Sequence, residues 1–147
     1  MLSLRVYTME KKTHEFVAFK LDGLNHALPL INVKKVIRAV EITPLYKNNM
    51  LGVIQMEGEI IPIINIRAAL NLPSHELELE DSILIFKNTE EHLLGLVAEE
   101  VIGLIKIDDH AFKKSLEEEK IKGKIVFNQE IGLICIDDPD ILFTLHS

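Results

Sequence analysis

The chain has 147 residues, a formal net charge of −7 and 48% hydrophobic residues, with a single cysteine, Cys135. That size suits one domain or two small fused subdomains, and it can bury a core without a metal or a disulfide. The acidic balance argues against nucleic acid and against an anionic membrane surface, which both select Lys and Arg, and no apolar run approaches the roughly 18 residues that span a bilayer. The opening stretch MLSLRVYTMEKKTHEF turns to charge too early for a secretory leader. The expected location is therefore the cytoplasm, with residues 1–13 as a tail and no membrane insertion.

In chain order, Glu15-Phe-Val-Ala-Phe-Lys-Leu21 alternates and is rich in aromatic and β-branched residues, which predicts a strand. Asp22-Gly23 suits a tight hairpin turn, and His26–Leu30 reads as a second strand that Pro29 confines to an edge or ends. Val33, Val36, Ile37 and Val40 recur at helical spacing, with Lys34, Lys35 and Arg38 elsewhere, so the pattern predicts an amphipathic helix over 31–40. A loop follows at 42–49. The stretch GVIQMEGEIIPIIN, from Gly52 to Asn65, then reads as a hairpin, about 51–56 and 59–64, with an acidic tip at Glu57-Gly58-Glu59. Asn65 is placed to cap a short helix through Leu70.

Strands are expected again at Ser82–Phe86, Leu93–Ala98 and Val101–Ile107. Asp108 or Asp109 can cap a charged helix running to about Lys120, with Phe112 and Leu116 on one face. Strands at Gly123–Phe127 and Ile131–Ile136 precede Asp138-Pro139, a favourable N-cap and first-turn pair for a last short helix. Many short strands, few helices and no βαβ rhythm predict β-barrels or a sandwich. There is a weak internal echo. The unit Gly52, turn, strand, Asn65 cap and helix nearly matches, in order and spacing, the unit Gly123, turn at Asn128-Gln129, strand, Asp138 cap and helix.

The sequence gives little support to catalysis. None of the six histidines forms the His-x-x-x-His spacing that sets two metal ligands on one helical face. Cys135 lies in an apolar strand, where burial disfavours a thiolate. Neither a nucleophile elbow nor a phosphate-binding Gly-rich loop is present. Asp108-Asp109-His110 and Asp137-Asp138-Pro139-Asp140 invite a metal reading, but both stand where helices should start, and capping accounts for them. Ile60-Ile61 and Ile63-Ile64 put bulk on both faces of one strand. One face fills a barrel, and the other requires cover from a second subdomain or a partner.

In order and spacing, these segments resemble the CheW family, the adapters of bacterial chemotaxis arrays, from Glu15 to about Leu142. The matching pieces are EFVAFKLDG, LGVIQMEGEIIPIINIRAAL, Gly95-Leu-Val-Ala-Glu-Glu-Val101, Ile121-Lys-Gly with its hairpin, and Gly132-Leu-Ile-Cys-Ile-Asp137. The resemblance implies a mainly β fold of two interlocked five-stranded SH3-like barrels with short helices. It implies a single domain over 14–147, with subdomains at roughly 14–75 and 80–136 and a C-terminal helix at 138–145. It further implies no catalysis and no cofactor or metal. The expected partners are the regulatory domain of a CheA-like histidine kinase and the cytoplasmic tips of chemoreceptors.

By the same resemblance, Val33 and Val36 fall where the family's first helix presents an apolar contact surface. Gly52 and the Glu57 tip fall beside the receptor- and kinase-facing surface, and Val101 and Leu104 in the second subdomain's apolar patch. The family usually has Arg where this chain has Glu57, and often Glu where it has Lys35. The reversal suggests a charge-swapped pair, Lys35 with Glu57, holding the helix against the hairpin. Two alternatives stand beside the adapter reading: a divergent paralogue serving another kinase-linked pathway, such as surface motility, or modulating the array, and a small metal-dependent enzyme.

Overall fold

The structure, a computed structural model, describes residues 13–38, 42–45, 50–69, 71–74, 78, 80–119, 125–129, 132–136 and 138–144. Eleven strands are found among these residues: β1 Thr13–Leu21, β2 Leu24–Pro29, β3 Val33–Arg38, β4 Thr43–Pro44, β5 Met50–Met56, β6 Glu59–Ile64, β7 Ser82–Lys87, β8 Leu93–Ala98, β9 Glu100–Asp108, β10 Ile125–Gln129 and β11 Gly132–Ile136. The helices are short: α1 Ile66–Ala69, α2 Asp109–Glu119 and α3 Pro139–Thr144. The strands form a five-stranded sheet, β10-β11-β2-β1-β9, and a six-stranded sheet, β3-β7-β8-β6-β5-β4. These are mixed sheets: β2 runs parallel to β11 and β6 parallel to β8, while the other pairings are antiparallel.

The helix predicted over 31–40 is not formed. A 3₁₀ turn, Leu30–Asn32, leads directly into strand β3, which pairs antiparallel with β7. The error has a physical source. The register passes from Val33↔Phe86 to Lys35↔Ile85 and skips Lys34. Residues three apart on a regular strand face opposite sides, but one bulged residue returns Val33 and Val36 to the same face, so the bulged strand imitates a helical stripe. Val40, the Leu70 helix end, the Gly123 strand start and Leu145 lie outside the described residues. In the last hairpin, Asn128 and Gln129 are strand residues opposite Leu133 and Gly132, so they do not form the turn.

The sheets are interlocked by chain order. The hairpin β1–β2 joins β9, β10 and β11, whereas β7–β8 joins β3, β5 and β6. A cut near residue 75–80 therefore separates neither sheet from the other. The echo noted in the sequence extends to ten of the eleven described strands. The order β10-β11-β2-β1-β9 maps onto β5-β6-β8-β7-β3, with β1 equivalent to β7, β2 to β8, β3 to β9, and the hairpin and helix β5–β6–α1 to β10–β11–α3. Each repeat lends its first hairpin to the other's sheet.

Three apolar clusters follow from this interlock. The central one joins Val17, Phe19, Leu21 and Leu28 of the five-stranded sheet to Ile64, Leu84, Phe86, Leu94, Leu96 and Ala98 of the six-stranded sheet, with Ile66 and Leu142. Phe16, Ala18, Ala27, Ile107, Ile134 and Ile136 cover the outer face of the first sheet, and Ile54, Ile61, Ile63, Ile83 and Ile85 that of the second. Both faces of each sheet are thus buried, which is why β6 and β7 carry consecutive bulky residues. Each fully buried Leu, Ile or Phe contributes about 1.5–3 kcal/mol.

Candidate partner-binding surface

The two bulged strands, β3 and β9, carry equivalent apolar pairs. On β3, Val33 stands opposite Phe86 and Val36 opposite Leu84. On β9, Val101 stands opposite Phe19 and Leu104 opposite Val17, and the register skips Ile102. Directly opposed residues share a face of the sheet, and Phe86, Leu84, Phe19 and Val17 all belong to the central cluster. Val33 and Val101 therefore pack against that cluster. Val36 and Leu104 continue the same faces outward and are 41% and 52% exposed. The result is two similar apolar margins, one on each lobe, both emerging from the core between the sheets.

Lys35 faces the other way, opposite Ile85 on the outer face of the six-stranded sheet. Its Nζ lies 3.4 Å from Glu57 Oε1, so the structure brings together the pair suggested by the sequence, with a strand in place of the helix. β3 and β6 are separated in the sheet by β7 and β8, and β6 pairs with β8 only at Ile63 and Ile64. The hairpin tip is thus free of the ladder and reaches back towards β3. Both side chains are largely exposed, so the pair contributes only about 0–1 kcal/mol.

The tip itself is a two-residue turn in which Glu57 and Gly58 have φ of 52° and 79°. Such turns favour Asn or Asp before Gly, because a Cβ is strained in the left-handed region. A glutamate there costs turn stability and supplies a forward-projecting charge. Beside the tip lies a groove of about 170 Å³ lined by Met56, Leu93, Lys34, Glu57, Glu59 and the Lys87–Glu91 ion pair.

Gly52 is a different case. It is buried, and a Cβ at this position would meet the Thr43 carbonyl oxygen at 2.1 Å. Its place in the structure is to let β4 lie against β5, where Pro44 opposes Gly52.

The carboxylates considered as metal ligands are engaged at helix starts. Asp108 Oδ1 accepts from the His110 N–H at 2.8 Å, and Asp138 Oδ1 from the Asp140 N–H at 2.9 Å. Asp109, in the first turn of α2, accepts from His14 Nε2 at 2.7 Å and pairs with Lys113 Nζ at 3.1 Å. These two contacts hold its carboxyl below the usual carboxylate range. His14 also stacks on Phe112, with ring centroids 4.1 Å apart. Asn65 Oδ1 accepts from the Ala68 N–H at 3.2 Å, capping α1 as the sequence suggests. Cys135 is half-buried in β11. Among the described residues, no three His, Cys, Asp or Glu side chains are grouped to hold a metal, and no helix is long and apolar enough to cross a membrane.

Two residues were not picked out from the sequence. Ile60 is 70% exposed on the face that carries Ile64 into the central cluster; the isoleucine run is visible in the sequence, but which member stays uncovered is set by the second lobe. Arg67 gave no signal, because its partners are 32 and 45 residues distant in sequence, at Glu99 and Asp22.

The chain is a mainly β, two-lobed protein whose inter-lobe core surfaces as paired apolar margins, a fold class without a grouped set of reacting side chains among the described residues. The CheW-like domain family matches residues 15–144, and the chain belongs to that family. It is 26% identical to the chemotaxis protein CheW of Thermotoga maritima over 135 residues, covering 84% of this chain and 88% of that protein. It is 27% identical to that of Bacillus subtilis over 147 residues, covering 95% and 94%. It is also 30% identical to Protein FrzA of Myxococcus xanthus over 96 residues, 63% of this chain and 59% of that one. The scaffolding protein TtCheW of Thermoanaerobacter tengcongensis superposes with a TM-score of 0.68 at 18% identity, over 85% of this chain and 88% of that one, and so shares the fold.

Proposed function

We propose that this chain is a non-enzymatic adapter of the cytoplasm that couples the regulatory domain of a CheA-like histidine kinase to the cytoplasmic tips of chemoreceptors. The observation that carries this reading is the pair of equivalent apolar margins, Val33/Val36 and Val101/Leu104. A scaffold must hold two partners at once, and two similar patches on opposite lobes supply two docking faces without any reacting group. The Lys35–Glu57 pair lies on the opposite face of β3 from Val36, and charges at such exposed positions select among partners more than they add affinity. Membership of the CheW-like domain family supports the same reading.

The test is retention of purified kinase regulatory domains and receptor cytoplasmic fragments on the immobilised chain. Both should be retained, and Val36→Asp and Leu104→Asp should reduce retention without unfolding the protein. Failure to retain either partner, while a control adapter from the same cell retains both, overturns the reading.

A second reading is favoured by the signs of Lys35 and Glu57, which are opposite to the family's usual pattern. It makes the chain a paralogue serving a different kinase-linked pathway. Retention of a second kinase's regulatory domain in preference to the chemotaxis one would select it.

A further inference from the structure

The lobes are tied together at two equivalent places. At the first, Arg67, the second residue of α1, reaches from the six-stranded lobe to the β1–β2 turn of the other. Its Nη2 donates to Glu99 Oε1, its Nη1 lies 3.8 Å from Asp22 Oδ1, and its Nη1 donates to the Pro73 carbonyl at 3.1 Å. Glu99 also accepts from the Asp22 N–H, and its own N–H donates to the Lys20 carbonyl at 3.1 Å. Glu99 is the single residue between β8 and β9, where the chain crosses from one sheet to the other. At the second place, Asp140, the second residue of α3, reaches from the five-stranded lobe to the β7–β8 turn. There it accepts from the Thr89 N–H at 3.1 Å and from Thr89 Oγ1 at 3.4 Å.

The two ties occupy equivalent positions but differ in strength. The Arg67 side chain is 12% exposed and engages three segments through a planar fork of donors, the geometry in which arginine differs most from lysine. The Asp140–Thr89 tie is exposed and joins two groups. Val36 and Leu104 project from the faces that the two sheets turn towards each other, so the angle between the lobes sets the spacing of their margins.

We propose that Arg67 is a positioning residue: it fixes the angle between the lobes, and through it the relative placement of the Val36 and Leu104 margins, with Asp140 as the weaker counterpart. The functional part of this inference rests on the adapter reading above, because it takes those margins as the partner surface.

The test combines an arm without partners and an arm with them. Spin labels at Gln55→Cys and Lys106→Cys, one on each sheet, in a Cys135→Ala background, report the inter-lobe distance distribution, and thermal melting checks folding. Arg67→Gln should broaden the distribution, Asp140→Ala should broaden it less, and Arg67→Lys, which keeps the charge but not the fork, should resemble Arg67→Gln. Affinity for the kinase regulatory domain should fall about 2- to 30-fold in Arg67→Gln. If Arg67→Gln does not fold, Arg67→Lys carries both measurements.

An unchanged distribution in a folded Arg67 variant overturns the proposal, as does a broadened distribution with unaltered partner affinity. If the unsubstituted chain retains no kinase domain, the adapter reading is what fails, and the distance arm alone decides the role of Arg67.

Discussion

Val36 on β3 and Leu104 on β9 are structural equivalents: each stands three residues after a valine packed on the central cluster, and each is brought to that valine's face by one bulged residue. The bulge is what turns a strand into an exposed apolar margin, the surface proposed above for docking. It keeps the first residue in the core and carries the second outward on the same face, so the exposed apolar group stays continuous with rigid packing.

Charging these margins should separate binding from folding. Val36→Asp and Leu104→Asp are each expected to cost about 1 kcal/mol, because Asp is disfavoured in a strand and each side chain loses a cross-strand contact, with Leu84 or Val17. Each should also weaken retention of a partner. Denaturant unfolding and pull-down on the same preparations check this, and loss of binding accompanied by an equal loss of stability would refute it.

The hairpin tip makes the opposite prediction about stability. Glu57→Asn relieves strain at φ 52°, so the turn should gain a few tenths of a kcal/mol to about 1 kcal/mol, while partner retention falls. A double-mutant cycle with Lys35→Ala should give a coupling of about 0–1 kcal/mol. Because both side chains are largely exposed, that coupling should vanish in about 1 M salt, where screening acts within roughly 3 Å. Zero coupling in stability and in binding alike removes the pair from the account.

Gly52→Ala should destabilise by about 1–3 kcal/mol, the usual cost of overpacking. The obstructing atom is a backbone oxygen that cannot rotate away. A stability within error of the unsubstituted chain would show that β4 is not held against β5.

Asp109 supplies a pH dependence of known sign. Its folded carboxyl is held below the ordinary range by His14 and Lys113. Its contribution is therefore fully present above the unfolded carboxyl's range and is lost as pH falls through the folded value. Asp109→Asn should be less stable than the unsubstituted chain at neutral pH, and the gap should close in acid. Denaturation midpoints followed from neutral pH down to about pH 3 test this, and a gap independent of pH would rule out the charge as its cause.

Much of the architecture was legible because it is local. Alternation in Glu15–Leu21, the Asp22-Gly23 and Glu57-Gly58 turns, and the Asn65 and Asp138 caps each depend on neighbours a few residues away, and the structure forms each of them. The order and spacing of these pieces also sufficed for the family resemblance. Val33–Val36–Ile37 misled because apolar spacing of three and four fits a helix and a bulged strand equally well, and only pairing with β7 distinguishes them.

Sequence alone thus determined most of the strands but not β3 or β4, where most turns fall, and that β6 must be covered on both faces. Tertiary structure decided which lobe covers it, leaving Ile64 buried and Ile60 exposed. It also decided that each repeat's hairpin completes the other's sheet, and that Arg67 meets Asp22 and Glu99. Those outcomes depend on contacts between residues tens of positions apart, set by sheet order and register, and no periodicity within a single segment encodes them.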